Sequence, residues 1–165
     1  IKESLNIKIL DKIIQETNFN DLDAKSLQNE LYGIYASKIA KFQIVRNKLK
    51  EIQINFSNQM LNDRSGCILD GRDIGTNILP NANYKFFIDA NLEVRAKRRY
   101  EQLLSSSNTV DYNDILLNLK KRDGNDKYRS NSPLKPAKDA ICIDTTSILP
   151  DNVVSIALSY IKKNK

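Results

Sequence analysis

The chain has 165 residues, 41% of them hydrophobic and 28% charged, enough for one ordinary domain with a real core in a soluble globular protein. It has no histidine and only two cysteines, which excludes a histidine base and a cysteine–histidine zinc site. No apolar run approaches the roughly 20 residues of a membrane-spanning helix, no signal peptide opens the chain, and the net charge of +6 suits an anionic ligand.

Residues 5–10 alternate apolar and polar side chains, and residues 12–17 continue the pattern. A half-buried strand with an antiparallel partner fits, and a short helix fits nearly as well. Asp21 or Asp23 is placed to cap a helix that begins near Ala24. From Leu27 to about Met60 apolar residues recur at helical spacing, with a break expected near Phe42. Asn62 to Gly66 are turn residues. Cys67-Ile68-Leu69 reads as a short buried strand that runs into Asp70-Gly71-Arg72-Asp73. Pro80 to Asn83 is a connecting turn, and Tyr84 to Asp89 a second strand. A charged helix follows from Leu92 to Tyr100, then a flexible loop at Ser105–Asn108 and a helix over Tyr112–Lys121. Ile141–Asp144 is a third buried strand, and Val153–Ile161 a closing amphipathic helix. Strands that alternate with helices predict a parallel α/β sheet. Cys67 and Cys142 lie in apolar, strand-like runs and are expected to be reduced core thiols, in keeping with the cytosol.

The Asp70-Gly71-Arg72-Asp73 turn is the most informative segment. Ligands in open α/β sheets bind outside the carboxyl ends of the strands. An arginine flanked by two acids at such an end points to a working site, although a turn held by a local ion pair is the bland alternative. The eight arginines concentrate in the second half, and arginine suits bidentate grip on phosphate or carboxylate. Arg95, Arg98 and Arg99 share one helix side by their spacing. They fit a polyphosphate or a solvated face equally well. Arg122, Asp126 and Arg129 are spaced to pair on one helix face. By themselves they read as a surface ladder of at most about 1 kcal/mol per pair.

Taken together and in order, these segments resemble the bacterial cytidylate kinase family. The match runs through residues 70–76, Pro80, Lys85-Phe86-Phe87, Arg95-Ala96-Lys97-Arg98-Arg99, Arg122-Asp123-x-x-Asp126-x-x-Arg129, residues 133–140 and Asp144-Thr145-Thr146. It is strong from about residue 36 onward and weak before it, where Gln28 stands at a position often arginine. The resemblance implies an α/β fold of the P-loop nucleoside-monophosphate kinase type, a parallel sheet flanked by helices, in a single domain over 1–165. Residues 1–35 would be the end of a shortened monophosphate-binding insert, and the lid would lie within about 100–130.

The implied reaction moves the γ-phosphoryl group of ATP to CMP or dCMP with Mg²⁺. The protein would be cytoplasmic and monomeric, with no nucleic-acid or membrane partner. Ser37, Arg46 and Asp73 would read the cytosine, since a carboxylate accepts from its N4 amino group. Arg72 and Arg129 would hold the CMP phosphate as catalytic residues, with Asp70 near Mg²⁺-bound water or in a structural role. Arg122 and Asp126 would lie near the ribose, and Arg95, Arg98 and Arg99 near the ATP phosphates; no metal ligand is assigned. The sequence contains no G-x-x-x-x-G-K-[ST] phosphate loop and starts at Ile1. It is therefore expected to lack its N-terminal part, to be poorly stable, and not to complete the reaction by itself, because that loop cradles the β- and γ-phosphates. A kinase for UMP or AMP, or a non-catalytic nucleotide- or RNA-binding protein, are the alternatives.

Overall fold

Two parallel strands organise the second half of the molecule. In the computed structural model, β1 (Phe86–Asp89) pairs with β2 (Ile141–Asp144) in the register Phe86↔Ile141 to Asp89↔Asp144. Backbone bonds extend the ladder at both ends, Ile141 N–H donating to Lys85 O at 2.8 Å and Thr145 N–H to Asp89 O at 2.7 Å. Neighbouring parallel strands need a long crossover, and two helices supply it: α3 (Leu92–Leu104) and α4 (Tyr112–Tyr128). Among the described residues, α1 (Ile7–Glu16) and α2 (Gln43–Asp63) precede the strands and α5 (Pro150–Lys163) follows them. The structure describes residues 7–17, 32, 35, 36, 39, 40, 42–63, 66–105 and 110–163. The chain divides into two compact units, Ile1–Cys67 and Ile68–Lys165.

Two of the helices start where a side chain satisfies their free N–H groups. Asn91 Oδ1 accepts from Glu93 N at 3.0 Å at the start of α3. Asp111 Oδ1 accepts from Asn113 N and Asp114 N at 2.7 and 3.0 Å at the start of α4. Such caps contribute about 1 kcal/mol each. α4 continues to Tyr128, through Gly124 and past the expected end at Lys121, so the polar stretch after 121 is helical. α3 and α4 meet through the edge-to-face pair Tyr100–Tyr112, with ring centroids 6.0 Å apart, and through Ala96 and Ile115, both buried. Ile78, Ala90 and Ile143 complete the apolar interior of this unit. Tyr84 Oη donates to Ile161 O at 3.3 Å and ties the approach to β1 to α5.

In the first unit, residues 7–10 are helical, so the helix alternative holds over the strand. The break near Phe42 is present: Ala40 and Phe42 lie outside helix, and α2 starts at Gln43. Val45 and Ser57 are buried there, and Cys67 Sγ donates to Ser57 Oγ at 3.6 Å. The Asp21 and Asp23 caps and most of the loop at 105–108 fall outside the described residues.

Two expectations fail. Cys67-Ile68-Leu69 is not a strand. It has no ladder partner among the described residues, and Ile68 is 98% exposed. Apolar side chains give an extended segment a face to bury, but only a neighbouring strand satisfies its backbone. The thiols are also not both in the core: Cys67 is half-buried and Cys142 exposed. Side chains alternate across a strand, so Ile143 points into the interior while Cys142 lies on the opposite, open face. No helix among the described residues is long and apolar enough to cross a membrane.

Candidate functional site

The site grows from the segment Asp70–Leu79. After the bends at Gly71–Asp73 the chain forms one wide turn of π-helix, Ile74–Ile78. Ile78 N–H donates to Asp73 O at 3.3 Å and Leu79 N–H to Ile74 O at 2.7 Å, both five residues back. Turns of this kind are frequent at functional sites. Gly75 permits close packing: a Cβ there would lie 3.2 Å from Lys85 Cδ. Asp73 sits at the head of the turn but does not cap it with its side chain. Its Oδ2 instead accepts from Asn77 Nδ2 at 3.1 Å, one helical turn on.

Arg72 leaves the same segment and meets the last turns of α4. Its Nε lies 3.1 Å from Asp126 Oδ2. Arg122 Nε approaches the same oxygen at 3.9 Å, and Arg129 Nη1 lies 3.8 Å from Asp126 Oδ1. Three guanidinium groups therefore converge on one carboxylate, whose side chain is 17% exposed. The contacts are ionic and not hydrogen-bonded in geometry. Asp126 Oδ2 and Arg129 Nη2 are both buried and make no hydrogen bond among the described residues. A buried donor left without an acceptor costs about 1–3 kcal/mol, so the Arg129 Nη2 group has an N–H free to donate to an oxygen acceptor.

The loop after α4 holds Arg129 in place. Arg129 Nε donates to Ser132 O. Ser132 has φ 52, an uncommon conformation for a non-glycine residue that persists only where several contacts fix it. Its hydroxyl accepts from Asn77 Nδ2 at 3.0 Å, and Leu134 N–H donates to Asp126 O at 2.8 Å. Asp73, Asn77, Ser132, Arg129, Asp126 and Arg72 thus form one continuous polar cluster.

The other arginines are engaged elsewhere. Arg95 forms a bidentate pair with Asp123, at 3.0 and 2.7 Å, and its Nε donates to Ala90 O at 2.8 Å. The Asp123 hydrogen bond, above all, raises the Arg95 pKa further. Arg98 donates to Thr145 Oγ1 and O and to Ile148 O. Arg99 donates to Gln102 Oε1 at 2.8 Å. Each of the three has its own partner, and together they form no common anion site here. Arg46 belongs to the first unit, where its Nε donates to Ala40 O at 2.6 Å. Ser37 lies outside the described residues, and Asp70 is exposed, outside helix and strand.

An open depression of about 510 Å³ lies against the strand ends and is lined by Phe87, Asp89, Cys142 and Asp144, among others. It contains none of the arginines. Asp144 accepts from Thr146 Oγ1 and N, which holds its carboxyl below the ordinary value. The lining of the depression offers the two carboxylates and no cation, whereas the arginines converge on Asp126. No three acidic, cysteine or histidine side chains converge to hold a metal among the described residues. Asp70 alone does not make a Mg²⁺ site.

Sequence reasoning gave no role to Asn77, Ser132 or Asp123, although Asp123 lies within the quoted arginine–aspartate motif. Asn77 lies four residues after Asp73, a spacing that aligns side chains, and that was the one signal available. Ser132 and Asp123 are defined by contacts distant in sequence.

Helices around a parallel strand pair, with three arginines gathered on one carboxylate, define an α/β protein. The family model for cytidylate kinase matches residues 3–163, and the chain belongs to that family, whose fold is of the P-loop nucleoside-monophosphate kinase type. It is 42% identical over 147 residues to the cytidylate kinase of Bartonella tribocorum, covering 89% of this chain and 66% of that protein. It is 46% identical over 128 residues to cytidylate kinase 1 of Haemophilus influenzae, covering 78% and 53%. For the cytidylate kinase of Rickettsia bellii the identity is 38% over 164 residues, covering 99% and 74%. The chain spans about half to two-thirds of the length of the first of these relatives.

Proposed function

We propose that this chain belongs to an ATP-dependent cytidylate kinase and carries the monophosphate side of its site. In that enzyme the γ-phosphoryl group of ATP passes to CMP or dCMP, giving CDP or dCDP. The observation that supports this most directly is the convergence of Arg72, Arg122 and Arg129 on Asp126, with Arg129 Nη2 buried and unbonded.

A phosphate monoester is already an anion at neutral pH and needs no general base, so a chain without histidine is chemically sufficient. Catalysis in phosphoryl transfer is mostly positioning and charge stabilisation. Arg129 and Arg72 hold the CMP phosphate, and Arg122 with Asp126 lies near the ribose. Before substrate arrives, Asp126 keeps the three like charges together, so the cluster is organised in advance. Asp73 reads cytosine: its carboxylate accepts from the N4 amino group. Uracil presents an acceptor at that place and leaves the carboxylate unpaired, which discriminates strongly. The helix region within about 100–130 serves as the lid, excluding water from the transfer. Arg95, Arg98 and Arg99 contribute to the field at the ATP phosphates. Mg²⁺ supplies charge neutralisation at the phosphates when bound, and no residue here is assigned to ligate it. The protein is cytoplasmic and acts as a monomer without nucleic-acid or membrane partners.

These 165 residues contain no glycine-rich phosphate loop, so their own test is binding. The chain is expected to bind CMP, and Arg129→Met to weaken binding by about tenfold to a hundredfold, the worth of a lost charge-assisted hydrogen bond of about 1.5–3 kcal/mol. Calorimetric titration reads this. No CMP binding, or equal binding of UMP and AMP, overturns the proposal. Phosphoryl transfer itself is read in a coupled ADP-release assay on the full-length protein.

A further inference from the structure

Asn77 is joined to both halves of the candidate site. Its Nδ2 donates to Asp73 Oδ2 at 3.1 Å and to Ser132 Oγ at 3.0 Å. Using both N–H groups of one amide on two acceptors fixes its plane. Asp73 has no capping bond to the π-helical turn behind it, so no other hydrogen bond described for its carboxylate orients it. Ser132, at the other end, carries the carbonyl that accepts from Arg129 Nε and is held at φ 52. The amide thus links the carboxylate that would read the base to the loop that holds the phosphate-binding guanidinium.

We propose that Asn77 is the positioning residue for base discrimination, holding Asp73 Oδ2 so that Oδ1 is aimed at the pyrimidine amino group, with Ser132 as its anchor. This rests on Asp73 reading the base, as proposed above. Asn77 touches no substrate atom in this scheme; it acts through Asp73. A carboxylate bonded on one oxygen loses its freedom to rotate about χ2, and that rotation is what would let it tolerate a ring with the opposite hydrogen-bond pattern. Preorganised polar groups carry specificity because a wrong partner leaves them unpaired.

The test is the ratio of UMP to CMP dissociation constants, measured by calorimetry on this chain and three variants. Asn77→Leu removes the amide at similar volume and is expected to lower the ratio by about tenfold, mainly by weakening CMP, the loss of one hydrogen bond to a charged group. Ser132→Ala touches neither Asp73 nor ligand and is expected to shift the ratio the same way, by about threefold. Asp73→Ala is the reference and abolishes the discrimination. If Asp73→Ala keeps the ratio, the base-reading role of Asp73 fails, and Asn77's with it. If Asp73→Ala abolishes it but Asn77→Leu leaves it intact, only the Asn77 role is overturned. Equal weakening of CMP and UMP in Asn77→Leu also overturns it, since a purely structural residue behaves so. Should Asn77→Leu not fold, Ser132→Ala decides: an unchanged ratio overturns the proposal.

Discussion

Asp126 is the residue on which most depends. Its carboxylate faces Arg72, Arg122 and Arg129, and removing its charge leaves three cations without a common counter-charge. Asp126→Asn is expected to lower stability by about 1–3 kcal/mol, the cost of unsatisfied buried partners, seen as a lower urea midpoint. Inorganic phosphate should stabilise this variant more than the parent, because the anion replaces the lost charge; equal stabilisation would contradict the role. A second residue-scale effect concerns Asp139. Lys85 Nζ donates to Asp139 Oδ2, and this bond, followed by a backbone hydrogen bond at Asp139 itself, holds the carboxyl below its ordinary value of 3.8. A depressed value means the stabilisation is complete above 3.8 and is lost as pH falls below it. Asp139→Asn should therefore flatten the acid side of the stability profile, read from urea midpoints between about pH 5 and pH 2.5, and lower the neutral plateau without changing its slope.

At the scale of elements, α3 and α4 are joined by the Arg95–Asp123 pair as well as by the Tyr100–Tyr112 ring contact. Both side chains are about one-third exposed, so solvent screens the pair. The geometry is nonetheless a bidentate fork, with a further bond to Ala90 O, and lysine cannot reproduce it. Arg95→Lys is expected to cost about 1 kcal/mol, measured by thermal or urea unfolding. α4 also contains a correctable weakness. A Cβ added at Gly124 would meet nothing within 4 Å, and its backbone is helical. Gly124→Ala should stabilise the chain by about 0.5–1 kcal/mol, by reducing the freedom of the unfolded state and raising helix propensity. A lower midpoint for this variant would mean that α4 needs glycine for some reason other than space.

At the scale of the molecule, the described interior is small. Its buried apolar residues are Val45, Ile78, Ala90, Ala96, Ile115 and Ile143, and no large side chain is fully buried. Ile68, Ile88, Leu117, Leu149 and Val154 are exposed. Burial contributes roughly 25 cal/mol per Å² of apolar surface, so a chain with this much apolar surface in water is expected to unfold at a low midpoint with weak cooperativity and to bind a hydrophobic dye such as ANS. A sharp transition at high temperature without dye binding would show that these surfaces are covered in solution.

The residue order by itself determined the presence of helices α2 to α5 (though not the extension of α4 from Lys121 to Tyr128), strands β1 and β2, and the expected pairing of Arg122 and Arg129 with Asp126. Each of these is set by local physics: periodicity of apolar side chains, caps, and spacings of three or four along a helix. What only the tertiary structure decided depends on partners distant in the chain. Cys67-Ile68-Leu69 has strand composition but no neighbouring strand among the described residues. Cys142 lies in an apolar run but on the open face. Arg72 could have paired with Asp70 or Asp73 beside it, yet it meets Asp126 on α4. Arg95, Arg98 and Arg99 share a helix side by spacing, but each finds a different partner. The link from Asp73 through Asn77 to Ser132 is the clearest case: hydrogen bonds between segments 55 residues apart leave no periodic trace in a sequence, because only folding brings their ends within reach.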